Sequence, residues 1–226
     1  MFRKTLEHFI LKYLAVPLTP KIEKGKKLIA CVGDSITFGA GVNGRRKETW
    51  EYSLQESLGG SWQVINYGIS GRTLQDEGDY PYKADKFYPI SKAVKAEIYL
   101  IMLGTNDAKP YNWNGDRYRR ELKAFLEEYM NLENHPRVIV MIPPHCFEDP
   151  KIGAVAFDID GNNIDGPIPR IIRETAQELG IETIDLHSFS AGHGEWFDDG
   201  VHPNRNGNTA IAGFIAGELN RIITVR

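Results

Sequence analysis

Five short apolar runs recur along the chain, and longer mixed segments separate them. Most are rich in Val and Ile, and each is bounded by Gly, Pro, Asn or Asp. The runs cover residues 28–32, 63–66, 98–103, 138–142 and 181–186. Apolar runs of this length are typical of strands that are buried on both faces of a sheet. They predict five strands in the interior of the molecule.

The segments between these runs carry apolar residues at the period of an amphipathic helix, most clearly at Leu122, Phe125 and Tyr129. This pattern predicts helices over residues 49–58, 118–130, 167–179 and 206–223. Gly180 directly after the third helix is typical of a left-handed helix cap. Alternating strands and helices imply right-handed crossovers and a parallel sheet. We therefore expect a flavodoxin-like α/β fold, a three-layer α/β/α sandwich around a five-stranded parallel sheet.

The first 25 residues have a different pattern. Residues 1–15 place apolar side chains on one helical face, and Glu7, His8 and Lys12 interrupt any continuous signal-peptide core. No run approaches the roughly 18 apolar residues of a membrane span. We therefore predict an amphipathic helix and connector at 1–25, one domain at 26–226, and a cytoplasmic protein. The helix docks on the domain or on a second subunit, so a homodimer is one expected arrangement.

Composition narrows the range of partners. The chain has 226 residues, 42% of them hydrophobic, and a formal net charge of −3. This length and polarity suit one domain, and the charge gives no electrostatic footprint for nucleic acid. The two cysteines are too few for a disulfide framework.

No metal site stands out in the sequence. No pair of His or Cys has zinc spacing. Residues 158–163 depart from the pattern of a calcium loop, and they predict a hairpin or turn. The sequence thus predicts no metal and no cofactor.

Four polar blocks stand where the predicted strands end or the last helix begins. Their sequences are Gly33-Asp34-Ser35 after the first strand, residues 66–73 with Gly71 after the second, Gly104-Thr105-Asn106-Asp107 after the third, and residues 198–204 with Asp199 and His202 before the final helix. Ligands of parallel α/β sheets bind outside the carboxyl ends of the strands. We therefore expect all four blocks to meet at one edge of the sheet.

The order and spacing of these blocks resemble the SGNH hydrolase superfamily, the GDSL-type esterases and lipases, from about residue 28 to the C-terminus. The resemblance implies a serine esterase with Ser35 as nucleophile, His202 as general base and Asp199 as the acid that orients it. It also implies an oxyanion hole made of the backbone N–H groups of Ser35 and Gly71 and the side-chain amide of Asn106. Such a site uses no cofactor.

The chemistry needs these residue types. A serine hydroxyl is a weak nucleophile until an imidazole takes its proton, and a carboxylate on the other ring nitrogen fixes the tautomer. A glycine at position 71 suits a close backbone approach with positive φ. Simpler interpretations stay open: Ser35 as a helix N-cap, Gly71 as a turn glycine and Asn106 as a cap. Asp198, next to Asp199, is then a neighbouring loop acid.

The loops after the third and fourth strands set the substrate in this scheme. Residues 104–113 resemble those of carbohydrate acetylesterases, which implies a small-molecule or oligosaccharide ester, most simply an acetylated sugar. Asp34, Trp113 and His145 are the candidate substrate contacts, although Asp34 also suits a role in bracing its turn and Trp113 also suits loop packing. The alternatives are a lysophospholipase or acyl thioesterase of the same fold, and a non-catalytic carbohydrate-binding module. A phosphate-binding protein is disfavoured because no Gly-Lys follows Ser35.

Overall fold

The structure is a computed structural model, and it describes residues 19–224, apart from the side chain of Arg46. The amphipathic helix expected over residues 1–15 lies outside the described residues. The connector is described from residue 19, where the chain runs without helix or strand to the first strand.

A five-stranded parallel sheet forms the centre of the molecule. Its strands are β1 (Lys27–Gly33), β2 (Trp62–Gly68), β3 (Ile98–Met102), β4 (Arg137–Ile142) and β7 (Glu182–Asp185). Their order across the sheet is β2-β1-β3-β4-β7. A separate two-stranded antiparallel hairpin joins β5 (Glu148–Asp149) to β6 (Ala154–Val155). All five predicted strands are found, and the predicted α/β fold class is confirmed.

Helices cover both faces of the sheet. They are α1 (Ser35–Phe38), α2 (Arg45–Glu48), α3 (Trp50–Leu58), α4 (Phe87–Ala93), α5 (Gly115–Met130), α6 (Gly161–Asp165), α7 (Pro167–Leu179), α8 (Leu186–Ser190) and α9 (Arg205–Thr224). Short 3₁₀ turns lie at Tyr82–Ala84 and Gly194–Trp196. Gly180 caps α7 with a φ of 66°, as its position predicts.

Two apolar cores separate these layers, because successive side chains of a strand point to opposite faces. Ala30 and Val32 of β1 belong to the core that faces α5 and α7, while Cys31 belongs to the core that faces α3 and α9. Burying both faces removes each central strand from water and explains why its residues read as continuous apolar runs. This arrangement fixes the ends of β1 and β3 side by side at the edge that carries the polar blocks.

The connection between β4 and α7 differs from the expectation. Asp158 lies in a turn, but the rest of residues 158–163 leads into a helix. α6 begins at Gly161, and Asp160 caps its first turn by accepting a hydrogen bond from the Asn162 N–H at 2.9 Å. An Asp that precedes a short polar run satisfies a helix N-terminus as well as a turn. The hairpin lies earlier in this connection, at β5 and β6.

Candidate active site

Ser35 lies at the tight turn that leads from β1 into α1. Asp34 is the N-cap of this helix, and its carboxylate accepts a hydrogen bond from the Ile36 N–H at 3.0 Å. Ser35 is therefore the first helical residue and not the cap. Its side chain is almost buried, with 7% of the residue exposed, and it faces the loop that precedes α9. The cap leaves the hydroxyl available to another partner.

That partner is His202, which shares a short loop with Asp199. The Asp199 carboxylate accepts hydrogen bonds from the backbone N–H groups of Val201 and His202 at 2.9 and 2.7 Å, and its other oxygen lies 2.7 Å from His202 Nδ1. Burial alone would raise the pKa of Asp199, but these hydrogen bonds and the imidazole lower it below its ordinary value. The neighbouring Asp198 instead accepts a hydrogen bond from Asn204 Nδ2 at 2.8 Å.

The opposite ring nitrogen of the same imidazole, His202 Nε2, lies 2.8 Å from Ser35 Oγ. A carboxylate can only accept hydrogen bonds, so His202 Nδ1 carries the proton that it donates to Asp199, and Nε2 presents a lone pair. The Ser35 hydroxyl then donates to Nε2. Ser35, His202 and Asp199 thus form one continuous chain of hydrogen bonds.

Two further loops reach the same edge of the sheet. Gly71 has a φ of 80°, in the left-handed region that glycine tolerates best. Asn106 follows β3 and is 6% exposed, and its side-chain amide donates a hydrogen bond to the carbonyl of Arg72 at 3.2 Å. The structure therefore brings the Asn106 amide against the residue that follows Gly71.

The loop after β2 is held in place by charged side chains that sequence reasoning missed. The buried Asp107 carboxylate accepts hydrogen bonds from the backbone N–H groups of Leu74 and Gln75, both at 2.8 Å. The Arg72 guanidinium forms an ion pair with Asp85 at 2.6 Å. Asp107 stood in a recognised sequence block, but only the folded chain shows which loop its carboxylate holds.

Both buried acids of this region have raised pKa values. Burial raises the pKa of Asp34 to about 6, although the Ile36 N–H and nearby His202 act in the other direction. Burial likewise raises the pKa of Asp107 to about 6, against the hydrogen bonds from Leu74 and Gln75. Both carboxylates accept hydrogen bonds from backbone N–H groups of neighbouring turns.

The three candidate substrate contacts lie in different surroundings. Asp34 is fully buried and holds its turn. The indole of Trp113 packs on Tyr118, with ring centroids 5.5 Å apart, so the loop-packing alternative describes its main contact. His145 follows β4 as expected and contacts Phe147 and His187, with ring centroids 4.7 and 5.3 Å apart.

Phe157 is the side chain beside the catalytic candidates that the sequence did not indicate. Its ring lies edge-on to the His202 ring with centroids 5.0 Å apart, yet half of the residue is exposed. Phe157 and Asp158 both have positive φ, at 63° and 60°. Such backbone is costly for residues other than glycine, by about 1 kcal/mol or more each, and is often found at functional sites. No local sequence pattern predicts the contact of Phe157 with His202, because it joins residues 45 positions apart (202 − 157).

A serine, a histidine and an aspartate hydrogen-bonded in series at the carboxyl edge of a parallel sheet define a serine hydrolase type of site. The sequence model of the GDSL-like lipase/acylhydrolase family matches residues 31–210, and the chain belongs to this family. It is by that membership a carboxylic ester hydrolase.

Individual proteins of known sequence or structure are similar to most of this chain. An acetylxylan esterase of Xylanibacter ruminicola is 30% identical over 210 residues, which are 84% of this chain and 42% of that protein. The chain therefore spans about two fifths of that relative. An uncharacterised lipoprotein of Bacillus subtilis is 26% identical over 87% of this chain and 86% of its own length. A carbohydrate acetylesterase from Sinorhizobium meliloti superposes with a TM-score of 0.68 at 19% identity, covering 87% and 100% of the two chains, and shows the shared fold.

The expectation of a cytoplasmic protein is corrected by this comparison. A relative that aligns with 87% of this chain is a lipoprotein, and this contradicts the predicted location. The prediction rested on the interrupted apolar pattern of residues 1–15, and that pattern does not determine where the protein resides. Within residues 19–224, no helix combines the length and the apolar character that crossing a bilayer requires.

Proposed function

We propose that this protein hydrolyses acetyl and other short acyl esters of carbohydrates through a covalent intermediate on Ser35. The observation that carries the proposal is the series of hydrogen bonds from Ser35 Oγ to His202 at 2.8 Å and from His202 to Asp199 at 2.7 Å. This arrangement activates a hydroxyl for attack on a carbonyl, the first requirement of nucleophilic acyl transfer.

In the first half of the proposed reaction, His202 Nε2 takes the proton of Ser35 as Oγ forms a bond to the ester carbonyl carbon. The carbonyl oxygen becomes an oxyanion, which the N–H groups of Ser35 and Gly71 and the amide of Asn106 stabilise. The bond to the leaving oxygen then breaks, and that oxygen takes the proton from His202. An alcohol leaves, and the acyl group remains on Ser35.

The second half repeats these steps with water. His202 takes a proton from the water as its oxygen attacks the acyl carbon, and the same donors stabilise the second oxyanion. The bond to Ser35 Oγ breaks, His202 returns the proton to Oγ, and the carboxylic acid leaves. Asp199 stabilises the imidazolium in both halves without itself being protonated, and its lowered pKa suits that role.

The choice of an acetylated carbohydrate rests on the relatives and on the loops at the site. Two of the similar proteins are an acetylxylan esterase and a carbohydrate acetylesterase. Tyr111, on the loop after β3, is 60% exposed and offers an aromatic face of the kind on which sugar rings stack. Phe157 offers an apolar edge next to His202, where a short acyl group would lie.

The test compares acyl chain length and leaving group with one enzyme preparation. We expect kcat/KM for p-nitrophenyl acetate to exceed that for the octanoate by about tenfold or more, since added methylenes must fit a bounded site. We also expect release of acetate from acetylated xylo-oligosaccharides, and no turnover by Ser35→Ala.

Other outcomes would favour the alternatives. A preference for the octanoate would overturn the short-acyl proposal in favour of a lysophospholipase or acyl thioesterase. Fast hydrolysis of the p-nitrophenyl acetate without any release of acetate from the sugar would overturn the carbohydrate part alone. A wild-type protein that neither turns over esters nor reacts with a fluorophosphonate would indicate a carbohydrate-binding module.

A further inference from the structure

A second group of polar side chains, separate from Ser35 and its partners, lies in the connection between β4 and α7 and in α8. It contains His145, Asp165 and His187, and one ligand atom from each lies within 4.8 Å of the other two. His145 Nδ1 is 2.7 Å and His187 Nε2 is 2.9 Å from the same oxygen, Asp165 Oδ1. Two imidazole nitrogens thus converge on one carboxylate oxygen.

One of these contacts lacks the direction of a hydrogen bond. His145 Nδ1 is buried and finds no aligned hydrogen-bond partner among residues 19–224, although Asp165 Oδ1 is 2.7 Å away. Two electronegative atoms at that distance repel each other unless a proton or a cation lies between them. Since the ring N–H does not point at the carboxylate, a cation bound by both atoms accounts for the contact better than a proton.

The backbone holds both histidines in fixed positions. The His145 N–H donates to Ser190 Oγ at 2.9 Å, and the Ser190 hydroxyl donates to the carbonyl of His187 at 3.3 Å. Metal sites need ligands that are positioned before the ion arrives, and hydrogen bonds of this kind reduce the cost of ordering them. The histidines therefore need only side-chain rotation to bind an ion.

We propose that His145, Asp165 and His187 bind one divalent zinc ion, with the fourth ligand position open to water. Two imidazoles and a carboxylate are a donor set that Zn²⁺ prefers, and a tetrahedral ion with bonds of about 2.0 Å holds its ligand atoms roughly 3.3 Å apart. The distances from His145 Nδ1 and His187 Nε2 to Asp165 Oδ1, 2.7 and 2.9 Å, need to widen by only about half an ångström to reach this geometry. The 45% exposure of the Asp165 side chain leaves a path for the ion and for the water.

The expected role of the ion is structural. It would fasten α6 to α8 and so hold the connection between β4 and α7 over the carboxyl edge of the sheet. This connection also carries Phe147, whose N–H donates to the carbonyl of Gly200 at 2.8 Å, and Phe157, which contacts His202. The ion would therefore stabilise the side of the site on which the Asp199 and His202 loop rests.

Sequence patterns give no sign of this site. The three ligands are separated by 20 residues (165 − 145) and 22 residues (187 − 165), and no two form a short zinc motif. They meet only because β4 and β7 are neighbours in the sheet and both end at the same edge.

The test is a Zn²⁺ titration of the full chain after treatment with a chelator, followed by isothermal calorimetry and thermal unfolding. We expect one equivalent to bind and to raise Tm, and affinity to fall by about 100-fold or more in His187→Ala and in Asp165→Ala. The matched control is His193→Ala, which removes a surface histidine that lies 2.9 Å from Glu195 and has only that one carboxylate partner in the described ion pairs. It is expected to bind Zn²⁺ like the wild type.

Folding of each variant is checked independently by far-ultraviolet circular dichroism, which depends neither on the ion nor on the reactivity of Ser35. In the wild type, Co²⁺ is also expected to give the intense visible absorption of a four-coordinate site. Failure of the wild type to bind Zn²⁺, or equal binding by the wild type and a correctly folded Asp165→Ala variant, would overturn the proposal. Loss of binding in His193→Ala alone would place the ion elsewhere and overturn it as well.

Discussion

The carboxylates on the two sides of the candidate active site differ in burial and in pKa. On the side formed by the ends of β1 and β3, Asp34 and Asp107 are fully buried, bind backbone N–H groups and have raised pKa values of about 6. On the side formed by the loop before α9, Asp199 is partly exposed, faces an imidazole and has a lowered pKa. All three carboxylates accept hydrogen bonds from backbone N–H groups, but only the partly exposed Asp199 also faces the imidazole and provides charge to the proposed reaction.

The difference has a physical basis. Removing a carboxylate from water is costly, and hydrogen bonds from neutral N–H groups compensate only in part. An acid that must stay ionised through a catalytic cycle therefore benefits from some solvent and from a partner that becomes cationic. The carboxylates of the two sides therefore predict different consequences of mutation: loss of turnover for Asp199 on the loop side, and altered stability for Asp34 and Asp107 on the strand side.

Ser35→Ala is expected to have the largest effect, because it removes the group that both sides position. We expect kcat for p-nitrophenyl acetate to fall by about 10⁵-fold or more, as in serine hydrolases that lose the nucleophile. Steady-state kinetics measure the loss, and an unchanged melting temperature shows that the fold persists. Retention of more than a tenth of the wild-type rate would refute the role of Ser35.

Asp199→Asn tests the loop side directly. The amide can no longer hold the protonated Nδ1 tautomer or stabilise the imidazolium, so we expect kcat to fall by about 10⁴-fold. The matched control is Asp198→Asn, whose carboxylate accepts from Asn204 and not from the imidazole. We expect its kcat to stay within a few-fold of the wild type. If the two variants lose equal activity, the assignment of Asp199 fails.

Much of the strand side could be predicted from sequence, because its residues stand in short blocks directly after apolar runs. The five strands are found within a few residues of their predicted bounds. The largest difference is at β2, which begins at Trp62 and ends at Gly68 instead of covering 63–66. This strand lies at the sheet edge and mixes polar with apolar residues, so its ends carry little hydrophobic signal.

The remaining contacts depend on residues that are distant in sequence. Phe157 reaches His202, and His145 meets His187, only after the connection between β4 and α7 has folded over the sheet. Local periodicity reports the burial of one face of one element, and it contains no information on which loops meet. The hairpin or turn expected at residues 158–163 was wrong for a different reason, since turns and helix caps use the same residue types.

Asn106→Ala tests the strand side for a catalytic contribution. The proposed oxyanion hole loses one of its three donors, so we expect kcat to fall by about 10²–10³-fold with little change in KM. Stopped-flow acylation and steady-state rates with p-nitrophenyl acetate measure the effect. A variant with a raised KM and unchanged kcat would show that the Asn106 amide binds the substrate instead of stabilising an oxyanion.

Asp34→Asn gives the smallest effect and separates the two sides most directly. Asn keeps an oxygen that can accept from the Ile36 N–H, so the helix cap is expected to persist. In the wild type, the pKa of Asp34 is raised from 3.8 to about 6 on folding. Between these values the folded protein holds a proton that the unfolded chain releases, so stability is greatest at low pH and is lost as pH rises through about 6.

The variant lacks this titration, because an amide stays neutral throughout. We therefore expect the free energy of unfolding of Asp34→Asn to fall less than that of the wild type between pH 4 and 7, by an amount on the order of 2 kcal/mol. Urea unfolding at several pH values measures the difference. Identical pH dependence in the two proteins would mean that Asp34 is not desolvated in the folded state, and the contrast between the buried carboxylates and the partly exposed Asp199 would then rest on Asp107 alone.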